Sequence, residues 1–123
     1  MLKNDFYTIV ETNKQEPGSL FVLHLNERHA IYDGHFPGHP VVPGVCFLQM
    51  IIELAEVVFK KKMIFLKADE LKFLQPVNPA KVNMLQADFN YTVIEETNIQ
   101  VTVVFYQQLK QPCVKCKIVL GTA

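Results

Sequence analysis

Three residues within fifteen positions carry groups that could act on a carbonyl compound: His35, Gly44 and Gln49. A histidine side chain ordinarily titrates near neutral pH, so that His35 is suited to act as a general base that removes a proton. Gly44 follows Pro43 at the predicted start of a helix, where the first backbone N–H groups have no partner within the helix and carry the positive end of its dipole. Such groups can stabilise an oxygen that becomes negative during a reaction. Gln49 can hold a hydroxyl or a water, but it has no proton to give at neutral pH.

The segment that presents these groups joins an irregular loop to a long apolar stretch. GHFPGHPVVPGV, residues 34–45, holds three glycines and three prolines, which restrict its backbone. Residues 43–60 are apolar nearly all round and lack Gly or Pro beyond their first two positions, which predicts a helix that is buried on most sides. The polar residues ahead of its terminal lysines, Gln49, Glu53 and Glu56, lie at i, i+4 and i+7 and form one narrow stripe. Glu53 and Glu56 are expected to be the part of this stripe that faces solvent or a subunit interface.

Alternating apolar residues outside that helix predict five or six mainly antiparallel strands. In the segment SLFVLHLNE, one face of the predicted strand carries Phe21, Leu23 and Leu25. In the segment QPCVKCKIVLG, we expect the side chain of Cys116 in the core and that of Cys113 on the face of the nearby lysines. A single helix among these strands predicts an α+β fold in which an antiparallel sheet wraps around one long central helix. Because the sheet has edges that must be paired or covered, a dimer is expected.

The composition excludes several classes of protein. The 123 residues suit one domain, and 12 Lys plus Arg against 12 Asp plus Glu give no indication of nucleic-acid or membrane-surface binding. No apolar run approaches the roughly 20 residues that a membrane span needs, and the N-terminus lacks the apolar core of a signal peptide. A cytoplasmic protein is therefore expected. The four histidines and three cysteines show no metal-ligand spacing.

Two stretches of the sequence resemble a known family. GHFPGHPVVPGV closely resembles the signature of the FabA/FabZ-type 3-hydroxyacyl-acyl-carrier-protein dehydratases, which have the hot-dog fold. FLQPVNPAKV, residues 73–82, is similar to a second family stretch, with Ala80 and Lys81 in place of the usual Gly-Asp. Since the order of the predicted elements also fits, the resemblance implies a single hot-dog domain over residues 1–123.

The resemblance also implies an activity and a site. It predicts that a 3-hydroxyacyl thioester on an acyl carrier protein loses water to give the trans-2-enoyl thioester, without a cofactor. His35 would remove the alpha proton, and the Gly44 N–H would bind the thioester carbonyl. The acyl chain would run along the central helix between subunits, and the implied substrate-binding residues are Phe36, Pro43, Val45, Phe47 and Met50.

The sequence departs from the family at the second catalytic position. An acidic residue fourteen positions after the histidine assists water departure from the partner subunit's helix in the family, and here that position is Gln49. Three accounts remain open: Gln49 orients the leaving hydroxyl while another group such as Glu53 supplies the proton; a related subunit supplies the acid in a heterodimer; or elimination has been lost. An acyl thioesterase and a catalytically incomplete subunit are the competing functions, and a homodimer is the first expectation for the assembly.

Overall fold

The computed structural model describes residues 2–15, 18–34, 40–107 and 110–122. These residues form six strands, one long helix and a short 3-10 helix at Ala30–Tyr32. The long elements are β1 (Tyr7–Gln15), β2 (Gly18–Leu25), α1 (Gly44–Phe59), β3 (Met63–Phe73), β4 (Met84–Val93), β5 (Asn98–Gln107) and β6 (Gln111–Thr122).

The strands form one sheet in the order β1-β2-β4-β5-β6-β3, and all neighbouring pairs are antiparallel. Because successive side chains of a strand point to opposite faces, every second side chain of each inner strand lies in the core, as the sequence predicts. The fully or almost fully buried side chains of these rows are Phe21, Leu23, Leu25, Leu85, Ala87, Phe89, Val101, Val103, Phe105, Ile118 and Leu120.

Helix α1 packs across this apolar face, which confirms the predicted arrangement of one helix against a sheet. The ring of Phe47 lies 5.0 Å from that of Phe105, and at the other end of α1 Phe59 lies 4.8 Å from Tyr91, both edge to face. The helix ends at Phe59, and Lys60 follows it with a left-handed backbone (φ 56°). Within the described residues, no helix is long and apolar enough to cross a membrane.

The prediction for Cys113 was wrong because of a bulge in β6. Phe105 pairs with Val114 and Tyr106 pairs with Pro112, so Cys113 is an extra residue in the ladder. Its side chain is fully buried, and its thiol donates a hydrogen bond to the Phe105 carbonyl over 3.3 Å. Strict alternation assigns Cys113 to the exposed face, and the bulge shifts it into the core beside Val114.

The two outer strands of the sheet, β1 and β3, have one free edge each in this single chain. β3 is the more apolar of the two, and its pairing with β6 shifts register twice, around Leu66 and around Asp69. Its exposed large apolar side chains are Ile64, Phe65, Leu66, Leu71 and Phe73.

Candidate active site

The first two backbone N–H groups of helix α1 have no hydrogen-bond acceptor among the described residues. Pro43 is the N-cap residue and has an extended backbone, and its side chain makes no capping hydrogen bond. Cys46 N–H donates to the Pro43 carbonyl over 3.0 Å, whereas no backbone acceptor for the N–H of Gly44 or Val45 is found in the described chain. Two open donors at the positive end of a helix form a place where a developing negative charge is stabilised.

A cavity of about 440 Å³ adjoins this helix start. It lies between the two stretches that resemble the dehydratases, which are held together by a hydrogen bond of 2.9 Å from Val42 N–H to the Val77 carbonyl. Its walls are almost entirely apolar, as a site for an acyl chain requires. The residues that form them include Val42, Gly44, Phe47, Phe73, Val77 and Val114.

The ring of Phe73 lies directly over Gly44. A Cβ atom added at Gly44 would come within 2.9 Å of the Phe73 Cζ, closer than carbon atoms pack. Phe73 is 56% exposed, so its ring is the part of this contact that can move. Glycine at position 44 therefore allows an aromatic ring to cover the first turn of the helix.

Gln49 lies one and a half turns into α1, and its side chain is held by Glu53. The Gln49 Nε2 donates to Glu53 Oε2 over 2.8 Å. Glu53 also accepts the N–H of Leu2 at Oε2 (2.9 Å), the N–H of Lys3 at Oε1 (2.7 Å) and the Tyr7 hydroxyl at Oε1 (3.1 Å). The sequence suggested a solvent- or interface-facing Glu53, but the side chain is 95% buried, because it anchors the N-terminal turn to the helix.

These contacts decide the charge of the cluster. Burial by itself raises the pKa of Glu53, but the hydrogen bonds that its carboxylate accepts, led by the one from Leu2 N–H, outweigh burial and lower the pKa below its ordinary value. Burial and then the charge of Glu53 raise the pKa of Tyr7, so that its hydroxyl remains a donor. A carboxyl group held ionised has no proton to give, which argues against Glu53 as the acid of an elimination.

The charge of Glu53 also determines how the Gln49 amide is oriented. An ionised carboxylate only accepts hydrogen bonds, so Gln49 must face it with NH₂ and direct Oε1 elsewhere. No described residue donates a hydrogen bond to that Oε1. Gln49 is thus a hydrogen-bond acceptor with a set orientation at the position where the resemblance implies an acid.

The remaining residues predicted from the sequence are spread around this region. His35 and Phe36 lie outside the described residues. Phe47 lines the cavity, and Pro43 precedes the helix beside it. Met50 is fully buried in the core, whereas Val45 points away from it with 69% of its surface exposed.

Two contributions to the site were not predicted from the sequence. Phe73 stands at the start of the second family-like stretch, and its place in that stretch was the sequence signal that could have identified it. Tyr7 and the N-terminal turn carry no local signal, because they reach Glu53 across about fifty positions of the chain. In the part of the chain that the structure describes, no group of three or more His, Cys, Asp or Glu residues is placed to hold a metal ion.

Comparison with known proteins finds dehydratases among the proteins that are similar to this chain. Among curated proteins, the chain is 38% identical over 68 residues to the 3-hydroxyacyl-[acyl-carrier-protein] dehydratase FabZ of Chlamydia trachomatis serovar L2, covering 48% of this chain and 44% of that protein. It is 33% identical over 72 residues to the FabZ of Wolbachia pipientis subsp. Culex pipiens, covering 53% and 49%. The chain thus spans about half the length of the curated relatives it matches.

Solved structures confirm the fold. The dehydratase heterocomplex ApeI:P from Xenorhabdus doucetiae superposes with a TM-score of 0.74 at 20% identity, over 92% of this chain and 96% of that one. A hypothetical thioesterase with coenzyme A from Streptococcus pneumoniae TIGR4 gives a TM-score of 0.67 at 10% identity, over 98% and 91%. At such identities the likeness shows the hot-dog fold and no activity.

The family follows from a match that covers most of the sequence. Residues 11–116 match the ApeI-like family model, which is described as ApeI dehydratase. The matched residues include both family-like stretches, the whole of α1 and all the residues that line the cavity between the two stretches. The chain therefore belongs to the ApeI-like dehydratase family.

Proposed function

We propose that the protein removes water from 3-hydroxyacyl thioesters carried by an acyl carrier protein and forms the trans-2-enoyl thioester. The observation that carries the proposal is that Gly44, whose N–H has no acceptor in the described chain, lines a large apolar cavity. An acyl chain fits such a cavity, and the open N–H suits the thioester oxygen as it becomes negative. The family match and the FabZ relatives support the same reaction class.

In the proposed mechanism one proton moves twice. The imidazole of His35 takes the alpha proton, while the electron pair of the broken C–H bond moves towards the thioester carbonyl, whose oxygen the Gly44 N–H stabilises. The electrons then form the double bond as the bond between the beta carbon and oxygen breaks. His35 returns its proton to the leaving hydroxide, which departs as water. This sequence needs no second acid, so it is compatible with Gln49.

Gln49 has a defined task in this mechanism. In the proposed dimer the partner subunit's Gln49 faces the substrate, as the family's acid does. Its Oε1 accepts a hydrogen bond from the substrate's 3-hydroxyl and thereby turns a lone pair of that hydroxyl towards the proton donor. General acid assistance is typically worth about 10²- to 10⁴-fold in rate. A protein without the acid is therefore expected to be slow, with its base and its oxyanion donors intact.

The acting species is proposed to be a dimer, with the edge of β3 as the shared surface. That edge carries exposed apolar side chains, which water disfavours, and a paired strand would cover them. A homodimer is the first form proposed. A pair with a related subunit is the alternative, because one similar structure is a dehydratase heterocomplex.

The assembly test measures molar mass by light scattering and uses two matched variants. Leu71→Lys places a charge on β3, and Val10→Lys does the same at the opposite edge of the sheet, where Val10 is also exposed. The first is expected to yield monomers and the second to retain the dimer. Dimers of both variants would exclude the β3 edge, and a monomeric wild type would favour the heterodimer.

The activity test follows the mass of an intact 3-hydroxyacyl carrier protein during incubation with the purified protein. Loss of one water from the intact thioester is the expected result, and His35→Ala should abolish it. Release of the free carrier thiol would instead assign a thioesterase. No change, with or without a related subunit added, would assign a subunit that does not catalyse elimination.

A further inference from the structure

Glu53 is bound far more tightly than a surface carboxylate on a helix. At least four donors converge on it: two backbone N–H groups, a tyrosine hydroxyl and the amide of Gln49. Hydrogen bonds to an ionised group are shorter and roughly twice as strong as neutral ones. Two of these donors are the backbone N–H groups of Leu2 and Lys3. These two hydrogen bonds to the carboxylate therefore do not depend on which side chains stand at positions 2 and 3.

The hydrogen bond from Gln49 involves the residue at which the dehydratase resemblance implies an acid. Gln49 and Glu53 are four residues apart on α1, so that their side chains lie on the same face of the helix. Gln49 uses one N–H for Glu53 Oε2, at 2.8 Å. A freely rotating amide presents its oxygen and its NH₂ to a ligand about equally, whereas this amide has one N–H bonded to Glu53 and its oxygen directed away from that carboxylate.

We infer that Glu53 is a positioning residue that fixes the Gln49 amide, so that the site offers an acceptor oxygen to a substrate hydroxyl. The catalytic part of this inference rests on the proposed dehydration. An acceptor oxygen at this position suits the hydroxyl of a 3-hydroxyacyl thioester, which can donate a hydrogen bond to it. A role confined to anchoring the N-terminal turn is the competing explanation of the same contacts.

The first experiment needs no activity. With ¹⁵N-labelled glutamine, one side-chain N–H of Gln49 in the wild-type protein is expected to exchange slowly with solvent and to resonate apart from those of the other glutamines. Glu53→Gln should remove both properties. Glu56→Gln is the matched control: it neutralises the next acid of the same helix, which accepts a backbone hydrogen bond from Met63 N–H over 3.1 Å and does not contact Gln49 in the described structure. A Gln49 amide that exchanges as fast as exposed glutamines in the wild type would overturn the inference.

The second experiment compares the two variants kinetically on a 3-hydroxyacyl carrier protein, below their unfolding temperatures. Misplacing a group in an active site can cost about 10²-fold in rate. Glu53→Gln is expected to lower kcat by about 10- to 10²-fold with KM nearly unchanged, and Glu56→Gln to leave kcat at the wild-type value. Lower thermal stability of Glu53→Gln with an unchanged kcat would assign Glu53 to the anchor alone.

The two experiments separate this inference from the proposed function. If the wild-type protein does not dehydrate the substrate, the proposed function fails, and the exchange of the Gln49 amide still decides whether Glu53 orients it. If Glu53→Gln does not fold, the wild-type exchange measurement stands by itself. An active wild type with a disordered Gln49 amide would retain the function and reject the positioning role.

Discussion

The amide of Gln49 donates from Nε2 to Oε2 of Glu53 over 2.8 Å, at the point on the helix where the dehydratase resemblance implies an acid. The amide at position 49 is therefore paired with a buried carboxylate one turn further along. The two side chains must be considered together, because a change at either one alters the charge and the hydrogen bonding of the other.

Gln49→Glu is expected to impair the protein, although it restores the family's residue type. It would place two carboxylates within hydrogen-bond distance, and such a pair retains a proton because both groups cannot ionise. In the folded variant, the pair of carboxyl groups therefore has a raised pKa. The stability of the variant is retained below the ordinary glutamate pKa of about 4.3, and it is lost as the pH rises through the raised value. Urea unfolding should therefore show a larger deficit relative to wild type at neutral pH than in mild acid. A gain in activity at neutral pH would show that the site only lacks an acid.

The exchanged pair, Gln49→Glu with Glu53→Gln, is expected to recover what the single change loses. The hydrogen bond between positions 49 and 53 is retained with donor and acceptor reversed, and a single carboxylate then occupies position 49. We expect a higher dehydration rate than for Gln49→Glu alone, measured on the same carrier-protein substrate. Additive losses in the double variant would mean that the two side chains are not coupled.

Glu53 should also make stability dependent on pH. The pKa of Glu53 is lowered in the folded protein, so the unfolded chain binds more protons between that value and about 4.3. Its contribution is fully present above about 4.3 and is lost as the pH falls through the lowered folded value. Urea unfolding of wild type and Glu53→Gln should therefore differ most near neutral pH and converge in acid. A difference between the two proteins that does not change with pH would contradict the prediction.

Tyr32→Phe is expected to stabilise the fold. Tyr32 is 7% exposed, and among the described residues its hydroxyl is the one buried side-chain polar atom without a hydrogen-bond partner. A buried unsatisfied hydroxyl costs about 1–3 kcal/mol, and phenylalanine removes that cost while keeping the ring packed against Phe6. Chemical denaturation measures the change. A loss of stability would mean that the hydroxyl has a partner in solution.

Gly44→Ala should act through Phe73. The backbone of Gly44 is helical, so alanine causes no conformational strain, but its Cβ would displace the Phe73 ring from the helix start. Stability should change by less than about 1 kcal/mol, whereas catalytic efficiency on an acyl substrate should fall. In a Phe73→Ala background the same change should have little further effect. If Gly44→Ala lowers catalytic efficiency as much in the Phe73→Ala background as in the wild type, the new methyl group contacts the substrate itself.

Much of the fold follows from local patterns in the chain. The period of two along the strands assigns Phe21, Leu23 and Leu25 to the core, and the long apolar segment is a helix from Gly44 to Phe59 within the predicted residues 43–60. The resemblance of residues 34–45 to the dehydratases, rather than any periodicity, identified Gln49 as the position that departs from the family. These features need only neighbouring residues, whose periodicity and backbone preferences are present in the sequence.

Other features depend on contacts between distant segments. A bulge against β5 moves Cys113 into the core, and a ring from the end of β3 covers Gly44. Glu53 has the spacing of a solvent-facing residue, yet donors about fifty positions earlier bury and ionise it. Charge and hydrogen-bond direction at Gln49 follow from that burial. They depend on which groups meet in space, and periodicity along a helix carries no information about a partner that arrives from another part of the chain.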